Sequence, residues 1–228
     1  MQPEDLYDAT SLAHDFGSVS RETLSRLELY GELLVKWNKS INLVSRDSLR
    51  DLWRRHFLDS AQLLEYIPTS STGSAPVLVD LGSGAGFPGL VLAILGAGDV
   101  HLIEADQRKA VFLREVARET ECQVTVHNKR IEQVETFAAD VVTARAFAPM
   151  GDLLEYAWPF LSCRTEKSAP TNDTDTPRNG CLLLLKGKNV DQELTDAGKR
   201  WSMHVERFSS RSSIEGQILR LDALPIGD

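Results

Sequence analysis

The hydrophobic pattern divides the chain into two parts with different periods. Apolar and small residues recur at the helical period in residues 20–40, on a face formed by Leu24, Leu27, Gly31, Leu34 and Asn38. A second helical pattern begins at an Asp47 cap and ends before Pro68. From residue 77 onward, short apolar runs alternate with helical stretches. The first part therefore predicts helices, and the second predicts alternating strands and helices.

Seven apolar runs in the second part have the length of buried strands. They cover residues 77–81, 99–106, 123–128, 140–146, 181–187, 203–208 and 217–223. The last two are separated by "SSRSSIEG", which is too short for a helical crossover and predicts an antiparallel hairpin. We expect an α/β fold: a doubly wound, mostly parallel sheet with an antiparallel terminal hairpin. Residues 1–70 are predicted to form a small helical N-terminal extension, and residues 77–228 one compact Rossmann-like domain.

Composition narrows the class of protein. The 228 residues carry a net charge of −8, which counts against a surface that grips nucleic acid everywhere. No run approaches the roughly 18 apolar residues of a membrane span, and the acidic start predicts no export. Three separated cysteines, Cys122, Cys163 and Cys181, predict reduced cytoplasmic thiols without a disulfide or metal site. Residues 164–179 are polar and are predicted to form a mobile loop.

One segment departs from the acidic balance. Residues 35–55 contain six basic residues against two acidic ones. The basic residues are Lys36, Lys39, Arg46, Arg50, Arg54 and Arg55. They form either a solvated helical face or a local surface that binds RNA phosphates.

The stretch "VLVDLGSGAGFPGL" places a glycine-rich turn after the first predicted strand. No Lys-Ser/Thr follows the glycines, which excludes a P-loop. Gly84, Gly86 and Gly89 satisfy the dinucleotide spacing, so the pattern alone allows NAD. However, Asp80 at the strand end, followed by alternating glycines from Gly82, resembles the first motif of S-adenosylmethionine-dependent methyltransferases. The absence of a second substrate domain also favours a methyltransferase over a dehydrogenase.

Residues at the ends of the other predicted strands are the remaining candidates, because ligands bind at this edge of a doubly wound sheet. Glu104 would accept hydrogen bonds from ribose hydroxyls, or be a solvated acid. Arg130-Ile131-Glu132 would border an adenine, or form an ordinary turn. Arg145 would contact cofactor or substrate, or pair with Asp140 or Glu155. Lys186 would face the incoming nucleotide.

The acceptor is less well defined than the methyl donor. There is no Asn-Pro-Pro-Tyr/Phe tetrapeptide for exocyclic amines and no cysteine nucleophile at a strand end. This indicates an acceptor atom with an available lone pair. His56 and Asp59, in "RRHFLDSA", stay ambiguous between chemistry and packing.

Taken together, these motifs resemble the small-subunit rRNA methyltransferase G family (RsmG, also called GidB). The resemblance is carried by "YGELLVKWNKSINLVS", "RRHFLDSAQLL", "VLVDLGSGAGFPGLVLAI", "IEADQRKAVFLREV", "VVTARAFAPMGDLLEYAWPFL" and "LLLLKGK". It implies methyl transfer from S-adenosylmethionine to N7 of guanine 527 of bacterial 16S rRNA, within the small ribosomal subunit or its precursor. The chain departs from the family pattern at Ile131, usually alanine, and in the longer segment 164–179.

The resemblance and the strand-end rule together define the expected site. The predicted cofactor contacts are Asp80, Gly82, Ser83, Gly84, Gly86, Phe87, Glu104, Arg130, Ile131, Glu132 and Arg145. Arg145 is expected to orient cofactor or guanine, with Lys186 as a second catalytic candidate and no general base. We expect a monomer. Another S-adenosylmethionine-dependent activity, a non-catalytic rRNA-binding assembly factor and an NAD-dependent oxidoreductase stay open as alternatives.

Overall fold

A computed structural model describes residues 7–17, 19–68, 73–145, 148–162 and 180–226. The predicted loop at 164–179 and Cys163 lie outside these ranges. Cys122 and Cys181 are both buried and unbridged. No helix within the described ranges combines the length and apolar character needed to cross a lipid bilayer.

Seven strands form one sheet. They are β1 (Val77–Leu81), β2 (Asp99–Ile103), β3 (Thr125–His127), β4 (Val141–Ala144), β5 (Cys181–Lys186), β6 (Trp201–Ser209) and β7 (Gln217–Pro225). The strand order is β3-β2-β1-β4-β5-β7-β6. The first five strands pair in parallel, whereas β7 is antiparallel to both β5 and β6. The prediction of a mostly parallel sheet with an antiparallel terminal hairpin is therefore confirmed.

Helices cover both faces of the sheet. They are α1 (Ala9–Phe16), α2 (Arg21–Trp37), α3 (Arg46–Leu49), α4 (Asp59–Ala61), α5 (Gly89–Ile94), α6 (Gln107–Glu119), α7 (Met150–Ser162) and α8 (Val190–Ala197). One core joins the helices before residue 66 with α5 and α6, and a second core joins the sheet with α7 and α8. Adjacent residues of β1 alternate between these cores, Leu78 in the first and Val79 in the second.

The N-terminal helices pack through the predicted apolar face. The Ser20 side chain caps α2 by accepting a hydrogen bond from the Thr23 amide at 3.1 Å. Leu27, Gly31 and Leu34 are buried as the pattern predicts. Because these helices share a core with α5 and α6, they brace the sheet region; the division of the chain at residues 70–77 stays a prediction.

The second helical region differs from its prediction. The N-cap is Ser45, whose hydroxyl accepts from the Ser48 amide at 3.2 Å, and not Asp47, which lies in the first turn. The helix ends at Leu49 and resumes as a π-helical turn, Trp53–Leu58, which continues through α4 into a 3-10 turn, Gln62–Tyr66. We call residues 53–66 the bracing segment, because it lies between the site described below and the β6–β7 turn.

Candidate functional site

The carboxyl ends of the parallel strands form one edge of the sheet. Leu81 is paired with Ile103 of β2 and Ala144 of β4, so the residues that follow these strands lie side by side. Those residues begin with Gly82, Glu104 and Arg145, three of the predicted site residues. The three residues therefore lie together at the sheet edge, as the strand-end rule predicts for a ligand site at a switch point.

The glycine turn after β1 divides its glycines between two tasks. Gly82, Gly84 and Gly86 have φ angles of 65°, 56° and 92°, which favour glycine. A Cβ at Gly84 would meet only the Gly82 carbonyl oxygen at 3.7 Å, so this position leaves room for a ligand. A Cβ at Gly86 would lie 2.5 Å from Leu90 Cδ1, so Gly86 faces the packed interior.

Hydrogen bonds from Ser83 and Gly86 hold the glycine turn in shape. Ser83 donates its amide to the Ile103 carbonyl at 3.0 Å and its hydroxyl to the Asp80 carbonyl at 3.0 Å. The Gly86 amide donates to the Ser83 carbonyl at 2.7 Å. Ser83 is buried, and its polar groups hold the turn in shape. Its predicted cofactor contact stays a prediction.

Asp80 is the buried carboxyl behind the turn. Its Oδ2 accepts from the Gly89 amide at 3.3 Å, whereas Oδ1 has no hydrogen-bond partner in the described structure. Burial raises the pKa of Asp80 to about 7, although the hydrogen bond from the Gly89 amide opposes that shift. An orphaned buried oxygen can accept from an ammonium group or a water, which fits the amine end of S-adenosylmethionine.

Glu104 lies across the turn from β1 and is also buried. Its Oε2 accepts from the Gly84 amide at 2.8 Å and its Oε1 from the Asp106 amide at 2.7 Å. A carboxylate offers about four lone-pair positions, so two acceptor positions are left for hydroxyl groups. The geometry fits the predicted ribose contact and does not fit a solvated acid.

The segment after β3 completes this side of the site. The side-chain amide of Asn128 donates to the backbone carbonyl of Glu104 at 2.9 Å. This hydrogen bond joins the segment after β3 to the end of β2. Arg130 then precedes a single 3-10 turn, Ile131–Gln133, in which Ile131 is half-buried and Glu132 is exposed. The charge of Glu132 raises the pKa of Tyr156 of α7, whose phenol donates a hydrogen bond to the Glu132 carboxylate. This leaves the backbone at Ile131 as the candidate contact to an adenine edge.

Phe87 is the centre of an aromatic stack behind the turn. Tyr30 stacks on it with ring centroids 5.2 Å apart, and His56 stacks on it at 4.7 Å. The Arg145 guanidinium carbon lies 4.9 Å from the centroid of the same ring. Tyr30 also donates its hydroxyl to the Ala85 carbonyl at 2.5 Å. The helices before residue 66 therefore support the glycine turn directly.

His56 is buried within that stack. Neither ring nitrogen has a hydrogen-bond partner in the described structure. Burial lowers the pKa of His56 to about 3, and the charges of Arg145 and Arg55 act in the same direction. The imidazole is therefore neutral near pH 7 and packs on Phe87, which favours the packing interpretation of this residue.

Arg145 connects the glycine turn to the bracing segment. Its Nη1 donates to the Arg55 carbonyl at 3.2 Å and lies 3.7 Å from Asp59 Oδ2. The ion pair is thus with Asp59 and not with Asp140 or Glu155: Asp140 accepts from the Val77 amide. Burial raises the pKa of Asp59, and hydrogen bonding from Ser212 and the charge of Arg145 oppose that shift.

A cavity of about 1040 Å³ opens on the other side of Arg145. It lies between the ends of β4 and β5, the starts of α7 and α8, and the β6–β7 turn. The side chains that line it include Arg145, Asp59, Met150, Lys186, Glu193 and Gln217. Lys186 Nζ lies 2.5 Å from Glu193 Oε2, so this predicted residue reaches the cavity as one half of an ion pair. The volume accommodates a nucleotide base.

The basic segment forms a surface around the loop after α2. Asn38 organises that loop, because its side-chain oxygen accepts from the Leu43 and Val44 amides at 2.8 and 3.0 Å. Lys36, Lys39, Arg46, Arg50 and Arg55 are exposed, and Arg54 lies 5.3 Å from the ring centroid of Tyr7. Lys39 lines one groove with Arg46 and another with Arg108 and Lys109 of α6.

Arg108 and Lys109 were not predicted as part of this surface. They lie some seventy residues from Lys39 in the sequence, and only the packing of α6 beside the loop brings them to it. The same holds for Tyr30 and Gln217 at the site, and Asp59 is left open by the sequence between chemistry and packing. None of the three follows a strand that the sequence pattern predicts.

Two solved structures that contain S-adenosylmethionine have the same architecture as this chain. Magnesium protoporphyrin IX methyltransferase (ChlM) from Synechocystis, with bound S-adenosylmethionine, superposes with a TM-score of 0.53 at 14% identity, covering 90% of this chain and 97% of ChlM. MtNAS in complex with S-adenosylmethionine gives 0.51 at 16% identity, covering 94% and 83%. These similarities confirm the class I methyltransferase fold.

Sequence relatives define the family. Ribosomal RNA small subunit methyltransferase G of Rhodospirillum rubrum is 53% identical over 203 residues, 89% of this chain and 92% of the relative. The protein of that name from Paramagnetospirillum magneticum is 50% identical over 221 residues, 97% and 95%. The family model for rRNA small subunit methyltransferase G (GidB) matches residues 23–219. The chain belongs to the rRNA small subunit methyltransferase G family.

Proposed function

We propose that this protein transfers a methyl group from S-adenosylmethionine to N7 of guanine 527 of bacterial 16S rRNA. The observation that carries the proposal is the position of Arg145, between a glycine turn suited to the methyl donor and a cavity large enough for the acceptor base. The family membership supplies the acceptor class. The site of action is the cytoplasm, where ribosomal subunits are assembled.

The cofactor is held by the edge formed by β1, β2 and β3. Gly84 leaves space beside its backbone for the methionine end, next to the left-handed Gly82, and the free Oδ1 of Asp80 lies behind the turn. Glu104 accepts the ribose hydroxyls, and the backbone at Ile131 borders the adenine. When bound, S-adenosylmethionine supplies an electrophilic methyl carbon.

The acceptor side works by orientation. Guanine N7 carries an available lone pair and no proton, so no residue has to act as a base. Arg145 holds the guanine or the cofactor in line, because its guanidinium is fixed by Phe87, the Arg55 carbonyl and Asp59. Such positioning contributes several kcal/mol to a displacement reaction. Lys186 and Glu193 provide a charged wall for the base.

The RNA-binding surface is the basic loop region beside this site. Lys36, Lys39 and Arg46 bind backbone phosphates, and Arg108 and Lys109 extend the surface across α6. Phosphate contacts of this kind set the position of the RNA and do not read its sequence. The target guanine leaves its stack to reach the cavity.

The test is methyl transfer from radiolabelled S-adenosylmethionine to small subunits from cells that lack the protein. The labelled rRNA is then cleaved chemically at 7-methylguanosine to map the position. We expect one labelled guanine at 527 with the wild type and none with Glu104→Ala, which loses the ribose acceptor. Label elsewhere would support a different acceptor, and rRNA binding without any label would support a non-catalytic assembly factor.

A further inference from the structure

Ile214, in the turn between β6 and β7, is exposed to an unusual degree for a large apolar residue. Its side chain has a relative exposure of 105%, whereas the next most exposed large apolar residue of the described structure, Ile226, has 53%. Full exposure means that Ile214 contributes nothing to the packing of its own chain. Its apolar surface is available to something outside the protein.

Ile214 lies next to the cavity beside Arg145, which we call the acceptor cavity. Its two neighbours in the sequence, Ser213 and Glu215, both line that cavity, as does Gly216. Ile214 therefore stands at the rim of the space that the target base enters under the proposed function.

The turn that carries Ile214 is held rigidly. Within the turn, the Gly216 amide donates to the Ser213 carbonyl at 3.1 Å. From the bracing segment, Gln62 accepts from the Arg211 amide at 2.8 Å, and Asp59 accepts from the Ser212 hydroxyl at 2.5 Å. A backbone held in this way lowers the ordering cost when the side chain it carries meets a partner.

The charges of the turn are compatible with RNA. Glu215 pairs with Lys188 at 2.6 Å, which neutralises the carboxylate beside Ile214. Arg211 on the same turn pairs with Glu65 at 2.7 Å. What the turn then presents is an apolar tip between Ser213 and a carboxylate paired with Lys188, which is suited to insertion beside nucleotide bases.

We propose that Ile214 is a wedge that enters the RNA base stack and fills the place of the target base when that base moves into the cavity. Apolar side chains inserted between bases stabilise unstacked nucleic acid in this way. The inference rests on the proposed function, since it requires an RNA acceptor. It adds a positioning residue that contacts the RNA beside the reacting base.

The experiment compares Ile214→Ala, Ile214→Phe and wild-type protein on small subunits that lack the methyl group. We expect Ile214→Ala to lower the rate of methyl transfer at saturating subunits about tenfold or more, because unstacking the target base is costly. The affinity for subunits should stay within about twofold of the wild-type value, because the phosphate contacts are unchanged. Ile214→Phe keeps most of the activity, since an aromatic ring is also an apolar wedge. Ile226→Ala is the matched control and is expected to behave as wild type.

A second measurement does not depend on turnover. The 2′-hydroxyl acylation of nucleotides around the target is measured with protein bound and S-adenosylmethionine absent. Wild type raises the reactivity of the target nucleotide, and Ile214→Ala does not. Weaker binding with unchanged saturating turnover would overturn the wedge in favour of simple docking. No methylation of guanine N7 by the wild type would instead contradict the proposed function.

Discussion

Arg145 has three contacts that a lysine cannot reproduce together. Its planar guanidinium stacks on Phe87, donates to the Arg55 carbonyl and lies beside Asp59. We expect Arg145→Lys to reduce the turnover of methyl transfer to small subunits at least about tenfold, because orientation supplies most of the rate enhancement. Steady-state kinetics check this, with thermal melting as the control for folding. Full turnover by Arg145→Lys would remove its orienting role.

His56 makes stability depend on pH. Its folded pKa is about 3, below the ordinary value of 6.5, so the unfolded chain takes up the proton first as the pH falls. The His56 contribution to stability is therefore lost below pH 6.5, by about 2 kcal/mol between pH 7 and pH 5. The raised pKa of Asp80 acts in the opposite sense over the same range, so urea unfolding of the wild type measures the sum and a variant is needed to isolate His56.

His56→Phe provides the comparison, since the ring still packs on Phe87 without a titrating nitrogen. The difference in unfolding free energy between wild type and His56→Phe is expected to change by about 2 kcal/mol from pH 7 to pH 5. An unchanged difference would show that His56 has the same pKa in the folded and unfolded states, and a change of opposite sign would show that its pKa is raised by folding.

At the residue scale, the sequence predicts positions better than partners. Arg145 and Glu104 are found because each directly follows a buried strand, and parallel strands end at a common edge. The Asp59 partner of Arg145 is not predictable, since it lies in a helix far away in the sequence and only the packing of the bracing segment brings it there. The same reason hides the stack of Tyr30 on Phe87.

At the element scale, the glycine turn separates ligand space from packing. Gly84→Ala adds a Cβ in open space at a φ of 56°, so we expect a loss of about 1 kcal/mol of unfolding free energy. Its main effect is weaker binding of S-adenosylmethionine, measured by titration calorimetry. Gly86→Ala places a Cβ 2.5 Å from Leu90 and 2.7 Å from the Tyr30 hydroxyl.

Gly86→Ala is therefore expected to destabilise the fold by a further 1–3 kcal/mol or so. Urea unfolding distinguishes the two variants. The assignment is contradicted if Gly84→Ala proves the less stable variant, or if it binds S-adenosylmethionine as tightly as the wild type does.

The strands are the elements that the sequence predicts most accurately. β1 occupies residues 77–81 as predicted, and β2 to β5 are shorter than their predicted runs. β6 and β7 are longer than predicted, because they pair with each other as a hairpin from Trp201 and Pro225 to Ser209 and Gln217. The second helical region is predicted less well. The end of α3 at Leu49 and the π-helical start of the bracing segment have no counterpart in the periodicity.

At the scale of the whole molecule, a basic surface formed by residues of the segment 35–55 stands out on a protein of net negative charge. The double variant Lys39→Ala, Arg46→Ala is expected to weaken binding to small subunits and to lower the slope of log affinity against log salt by about 2. Arg118→Ala, at the other end of α6 from Arg108, is the control with no expected change. Binding measured over a range of salt concentrations checks both, and an unchanged slope for the double variant would mean that this surface is merely solvated.

The long-range ties of the bracing segment also bear on synthesis. Gln62 and Arg211 are 149 positions apart, and β7, the last strand, lies between β5 and β6. The acceptor cavity therefore has no wall on that side until β6 and β7 have been synthesised, so this side of the site is completed after the five parallel strands are already available to fold.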